Sequence, residues 1–258
     1  MRLFTGVCCV LLLAGCSATA EPAGPASPAS PADPAPTTAA SVCGDPELTG
    51  KAVRFPGKTG AELGGYLVGT GGVTLVLAPQ ASATSCSWLS WAKGKAAAGY
   101  RVLAFDFNGE GTSRRADTGK NSDDVAAAAA YARTGGSGKV VLIGASRGAT
   151  ATLIAAAAMT PPPAAVISLS GPSSYGGESA LDAVPKLTAP VLYVAAKGDT
   201  GFADTAQAMH DATPGQSRKL VLVEGSLHGT ALLTITAEGA PEATKAVDDY
   251  LRTTAPPA

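Results

Sequence analysis

Residues 139–158 read KVVLIGASRGATATLIAAAA. The segment from Lys139 to Ile143 is a short apolar, β-branched run of the kind that forms a strand buried on both faces. From Arg147 to Met159 the residues are small or aliphatic, with no glycine after Gly148, and read as a helix. Between the two lies Gly144-Ala145-Ser146-Arg147-Gly148, a G-x-S-x-G pentapeptide. A chain rich in Gly and Ala produces that pattern by chance, so its position at a strand-to-helix turn carries the reading. Such a turn is tight, and it lifts Ser146 above the sheet edge. Gly144 and Gly148 leave room where backbone segments come close. The free N–H groups and partial positive charge at the helix start favour a negative oxygen nearby. Ser146 is therefore the candidate nucleophile.

Working outward, strands are expected at Ala52 to Phe55, Leu63 to Val68, Val73 to Ala78, Arg101 to Phe105, Ala165 to Leu169, Pro190 to Ala195 and Lys219 to Val223. Helices are expected at Ser87 to Ala98, Ser122 to Arg133, Ala203 to Ala212 and Glu242 to Arg252. Gly99 stands as a stop signal and Ser122 as a candidate N-cap. Repeated strand–helix units of this kind predict an α/β fold: a mostly parallel central sheet of about eight strands with helices on both faces.

With that pattern around its G-x-S-x-G turn, the chain resembles the α/β-hydrolase superfamily over about residues 50–252. The resemblance implies a triad in the order Ser, acid, His. His228 follows the late strand KLVLVE and is the implied general base; His210, in a helix, reads as an ordinary surface residue. Asp199, at the end of VLYVAA, matches the acid position, with Asp204 as the alternative. The resemblance also implies two oxyanion donors. One is the backbone N–H of Arg147. The other belongs to the loop after VTLVLA, where the superfamily commonly carries a His-Gly pair before the donor residue. Here the loop reads Pro79-Gln80-Ala81. Proline has no N–H, which leaves Ala81 as first choice and Gln80 as second. The stretch from Asp106 to Ser113 resembles the superfamily's D-x-x-G-x-G-x-S loop and reads as structural support. Trp88 and Trp91 read as core.

The implied reaction is acyl transfer to water through an acyl-enzyme, on a small-molecule ester. The small-esterase and dienelactone-hydrolase-like branches are nearest in size. A peptidase or acyltransferase on the same triad, or a binding module that keeps the fold without catalysis, are the alternatives, the last suggested by the Pro79-Gln80 departure. Only the segment from Gly171 to Ala189 is available for a cap, so any cap is small. A net charge of −1 supplies no field for nucleic acid. Scarce histidines, no Cys-x-x-Cys and no Gly-rich phosphate loop argue for no metal and no cofactor.

The amino-terminal region has a different character. Arg2 precedes an apolar run from Leu3 to Ala14, too short to span a bilayer. Leu13-Ala14-Gly15-Cys16 follows and resembles a bacterial lipobox, which implies cleavage after residue 16's predecessor and acylation of Cys16. An ordinary signal cut near Ala18-Thr19-Ala20 is the alternative. Residues 1–16 are thus assigned as lipoprotein signal and 17–42 as a Pro/Ala-rich linker, leaving 43–258 as the hydrolase domain. Prolines 22, 25, 28, 31 and 34 recur every third residue, the period of polyproline II. At about 3.1 Å per residue the linker spans up to roughly 80 Å. The expected location is the outer face of the bacterial cell membrane. Cys8 and Cys9 leave with the signal, so Cys43 and Cys86 remain as an even pair in an oxidising compartment. They are expected to form a disulfide, two free buried thiols being the alternative. Replacing Cys16 with Ser is expected to move the protein from the membrane pellet to the soluble fraction; tight membrane association of Cys16→Ser would refute the anchor.

Overall fold

The short apolar runs assemble into an eight-stranded sheet in the computed structural model, which describes residues 42–58, 60–117 and 119–257. Cys16, the signal and nearly all of the linker lie outside the described residues. The strands are β1 (Ala52–Pro56), β2 (Glu62–Val68), β3 (Val73–Ala78), β4 (Arg101–Phe105), β5 (Lys139–Ala145) and β6 (Ala165–Leu169). A two-residue hairpin, β7 (Ser174–Tyr175) and β8 (Glu178–Ser179), stands apart; β9 (Val191–Ala196) and β10 (Arg218–Val223) complete the sheet. Its order is β1-β2-β4-β3-β5-β6-β9-β10. The pairs β1–β2 and β2–β4 are antiparallel, and every pair from β4 across to β10 is parallel.

The helices are α1 (Leu89–Ala97), α2 (Asn121–Arg133), α3 (Arg147–Ala158), α4 (Ala180–Ala183), α5 (Phe202–Ala212), α6 (Ala231–Thr234) and α7 (Ala240–Thr254). Successive strand residues point to opposite faces, so each strand feeds two cores. Leu75, Leu77, Val141, Ile143 and Ile167 meet α1 and α7 on one face, through Trp91, Val247 and Leu251. Val76, Leu142, Val166 and Tyr193 meet α2, α3 and α5 on the other, through Ala128, Leu153 and Met209. Burial of each of the larger aliphatic side chains contributes about 1.5–3 kcal/mol. Trp88 and Trp91 are buried in the first of these cores, with ring centroids 5.9 Å apart.

Three expectations are corrected. Pro190 precedes its strand, which begins at Val191; the proline has no N–H for the ladder, and its carbonyl accepts from Val166 N at 2.9 Å. Ser122 does not cap α2, which begins one residue earlier with Lys120 at the N-cap. The Ser122 hydroxyl instead donates to the buried carboxylate of Glu178 on β8, which also accepts from Ser122 N at 3.2 Å. A distant acceptor has displaced the local cap. The helix expected from Ser87 divides into a 3-10 turn, Ser85–Trp88, and α1.

The loop after β4 is organised by one carboxylate. Asp106 is fully buried; its Oδ1 accepts from Ser85 N at 2.6 Å, and its Oδ2 from Thr112 N and Thr112 Oγ1, both at 2.7 Å. Ser113 Oγ donates to Asp106 O and accepts from Gly64 N. Gly111 has φ +48°, and a Cβ there would stand 2.4 Å from Asp106 Oδ2. The D-x-x-G-x-G-x-S pattern thus describes a carboxylate wrapped by its own loop. The segment from Gly171 to Ala189 holds only the β7–β8 hairpin, α4 and a 3-10 turn at Val184–Lys186, so any cap is small.

Cys43 and Cys86 form a disulfide with Cα atoms 5.4 Å apart, across a separation of 43 positions. It ties the start of the described domain to the turn before α1. Cross-linking a loop of this length stabilises by roughly 4 kcal/mol, chiefly by constraining the unfolded chain. The Cys43→Ala/Cys86→Ala variant is therefore expected to lose about that much in urea unfolding; an unchanged midpoint would contradict it.

Candidate active site

Parallel strands deliver their carboxyl-terminal loops to one edge of the sheet, where ligands of open α/β sheets bind. Here that edge collects the loops after β3, β4, β5, β9 and β10. Ser146 follows β5 with φ 49° and ψ −117°, a conformation that costs a non-glycine residue about 1–3 kcal/mol. The elbow is held from both sides. Ser146 N donates to Leu169 O of β6 at 2.8 Å, and Ser146 O accepts from Ala149 N at 2.9 Å. Both flanking glycines are required by close approach. A Cβ at Gly144 would lie 2.2 Å from Gly148 O, and one at Gly148 would lie 2.4 Å from Ala78 O. The half-buried Ser146 side chain stands at the head of α3.

His228 lies in the loop after β10, and its Nδ1 is 2.8 Å from Asp199 Oδ2. Asp199 ends the turn after β9, and its side chain is only 11% exposed. The two loops are joined by Gly198 N donating to Gly225 O at 2.8 Å. Phe202, at the start of α5, packs an edge-to-face contact on the imidazole, with centroids 4.4 Å apart. The loop continues against the elbow: a Cβ at Gly229 would stand 3.6 Å from Ala145 Cβ. The chain neighbours of His228 and Ser146 thus come close to one another. Asp204 is exposed in the first turn of α5, and Asp199 is the acid that pairs with His228. His210 is half-buried on α5, with Nδ1 3.0 Å from Asp211 Oδ1, and makes no contact with the triad candidates among the described residues.

The backbone N–H groups of Arg147, Gln80 and Ala81 donate to no protein acceptor among the described residues. Gln80 is engaged in other ways. Its Oε1 accepts from Thr230 N at 3.0 Å and Thr230 Oγ1 at 3.1 Å, and its carbonyl accepts from Arg147 Nη2 at 3.3 Å. The buried Arg147 side chain meets Glu110 through two 2.6 Å contacts and lies 4.5 Å over the Phe107 ring. Sequence reasoning missed Thr230, Glu110 and Phe202. They sit on two separate loops and at the first residue of α5, and no periodicity in the chain signals which of these segments will meet. A cavity of about 420 Å³ lined by Val73, Lys139 and Thr254 lies at the opposite, amino-terminal end of β3 and β5, away from this chemistry.

Residues 67–257 match the alpha/beta hydrolase family, and the chain belongs to that family. No curated protein matches. Among solved structures, an esterase from Thermogutta terrifontis superposes with a TM-score of 0.65 at 16% identity, over 79% of this chain and 98% of that one. An esterase from Rhodococcus sp. gives 0.67 at 16% identity, over 79% and 99%. A monoacylglycerol lipase from Paleococcus ferrophilus gives 0.64 at 14% identity, over 75% and 99%. At these identities the likeness is one of fold.

Beside the Arg147–Glu110 pair, burial pushes the Asp124 carboxyl up to about 6, with Asp123 and Glu178 adding to the rise; the Asn108 N–H and Arg147 oppose it. A folded-state value above the unfolded one means that the neutral carboxyl is the favoured buried form. Stability associated with it is full below about pH 4 and declines as pH rises through about 6. Asp124→Asn keeps an oxygen to accept from Asn108 N while removing the charge. The variant is expected to match wild type near pH 4 and exceed it by on the order of 2 kcal/mol at pH 8; pH-dependent urea unfolding reads this directly, and a variant less stable at pH 8 would refute it.

Proposed function

We propose that this chain is a serine carboxylesterase, exported and held at the outer face of the membrane by a lipid on Cys16. The single observation that carries the catalytic part is the 2.8 Å contact of His228 Nδ1 with Asp199 Oδ2, made in a loop that packs beside the Ser146 elbow. An Nδ1 proton directed at the carboxylate leaves Nε2 as the basic nitrogen. In the proposed cycle, Ser146 Oγ adds to the ester carbonyl while Nε2 takes its proton. The developing oxyanion is met by the N–H groups of Arg147 and Ala81. Collapse breaks the C–O bond to the alcohol, which leaves with the proton from Nε2. Water, deprotonated by the same nitrogen, then releases the acid and regenerates Ser146. Asp199 holds the tautomer and stabilises the imidazolium.

The small cap favours compact, freely entering esters, as in the small-esterase and dienelactone-hydrolase-like branches, and two of the structural neighbours described above bear the name esterase. In this reading residues 17–42 act as the spacer between the lipid and the domain. A fluorophosphonate probe should label the wild type and leave Ser146→Ala unlabelled. On p-nitrophenyl esters Ser146→Ala and His228→Ala should each lose at least about ten-thousand-fold in kcat. A folded wild type that takes no label would favour the binding-module reading instead. Faster cleavage of a matched amide than of the ester would favour a peptidase.

A further inference from the structure

We infer that Gln80 is a positioning residue whose side chain couples the oxyanion loop to the loop of His228, leaving Ala81 as the second oxyanion donor. The inference rests on the esterase reading for its catalytic consequence, but the coupling itself is a matter of geometry. Where the superfamily's loop commonly has glycine before the donor, this chain has Gln80, whose amide oxygen reaches across to accept both the N–H and the hydroxyl of Thr230. Thr230 is buried and lies two positions after His228. The same oxygen occupies the space a side chain at Gly229 would need: a Cβ there would come within 2.3 Å of Gln80 Oε1. Residue 229 stands at φ +58°, a conformation that favours glycine, and the Gln80 amide packs into the space that its missing side chain leaves.

The main chain of Gln80 is held from another direction. Its carbonyl accepts from Arg147 Nη2, and Arg147 is fixed in turn by both oxygens of Glu110. The Gln80 carbonyl and the Ala81 N–H belong to one planar trans peptide and point in opposite directions. Holding the carbonyl toward Arg147 therefore aims the Ala81 N–H the other way. One residue thus links the position after the nucleophile, the oxyanion loop and the loop of the base.

Gln80→Met keeps the side-chain volume and removes the acceptor. It is expected to lower kcat on a p-nitrophenyl ester by roughly 10–100-fold, with KM changed by less than about twofold, since misplacement of the order of 1 Å costs the chemical step that much. Thr230→Ser, which keeps both donors, should stay within about threefold of wild type. Adding Thr230→Val to Gln80→Met should cost nothing further. Amide hydrogen exchange supplies a readout independent of turnover: exchange at residues 226–231 should rise about tenfold in Gln80→Met while the central strands keep their protection. Unchanged exchange there overturns the coupling, active enzyme or not. Raised exchange with unchanged kcat overturns its catalytic purpose. Failure of the wild type to react with fluorophosphonate would overturn the esterase reading, and exchange alone would then judge the coupling.

Discussion

A parallel ladder buried on both faces cannot be entered from the side, so the loops that do chemistry must gather at an end. From β4 to β10 the strands run in one direction, with helices sealing both faces. Their carboxyl ends bring together Pro79–Ala81, Asp106–Ser113, Ser146, Asp199 and His228, which are as far apart in sequence as 79 and 228. Everything else about the candidate site depends on this convergence. A register slip of one residue in any strand would exchange the side chains it gives to the two cores and carry its loop out of line.

At that edge the dominant local constraint is close backbone approach. The head of α3 passes so near the ends of β3 and β5 that neither Gly144 nor Gly148 can carry a Cβ. The strain at Ser146 persists because its backbone is bonded on both sides: Ser146 N is tied to Leu169 O, and its carbonyl accepts from Ala149 N in the first turn of α3. The result is a hydroxyl fixed at the mouth of a helix with unpaired N–H groups beside it, a setting suited to developing negative charge.

Around the elbow, buried charge is handled by pairing with opposite charge or with several donors. Asp106 takes three donors from its own loop and from Ser85, and Arg147 is matched by both oxygens of Glu110 and by the face of Phe107. Such groups are costly to bury alone and rigid once satisfied. They make the loops after β3, β4 and β5 into one body. The His228 loop joins that body through Gln80 and Thr230, and reaches the loop after β9 through Asp199. Asp124 is the exception: burial, with Asp123 and Glu178 nearby, raises its carboxyl to about 6.

The strands and long helices were legible in the sequence because apolar period and glycine punctuation are local. Residues 101–105 and 165–169 are strands with the very bounds their composition suggests, and the G-x-S-x-G turn stands between its strand and helix. The even cysteine pair likewise foretold the bridge. Contacts between loops were not legible. Ser122 looks like a cap and serves Glu178 instead; Gln80 looks like a weakened oxyanion loop and proves to be a tie to Thr230; Glu110 carries no signal of its partner. By itself the sequence determined the order of elements, the residue at the elbow and the one histidine placed after the last strand. The preference for Asp199 over Asp204 was also legible; the contact of Asp199 with His228, and the meeting of Gln80, Arg147, Glu110 and Thr230, appear only in the tertiary structure, because a loop's partners depend on where the sheet carries its ends rather than on any property of the loop.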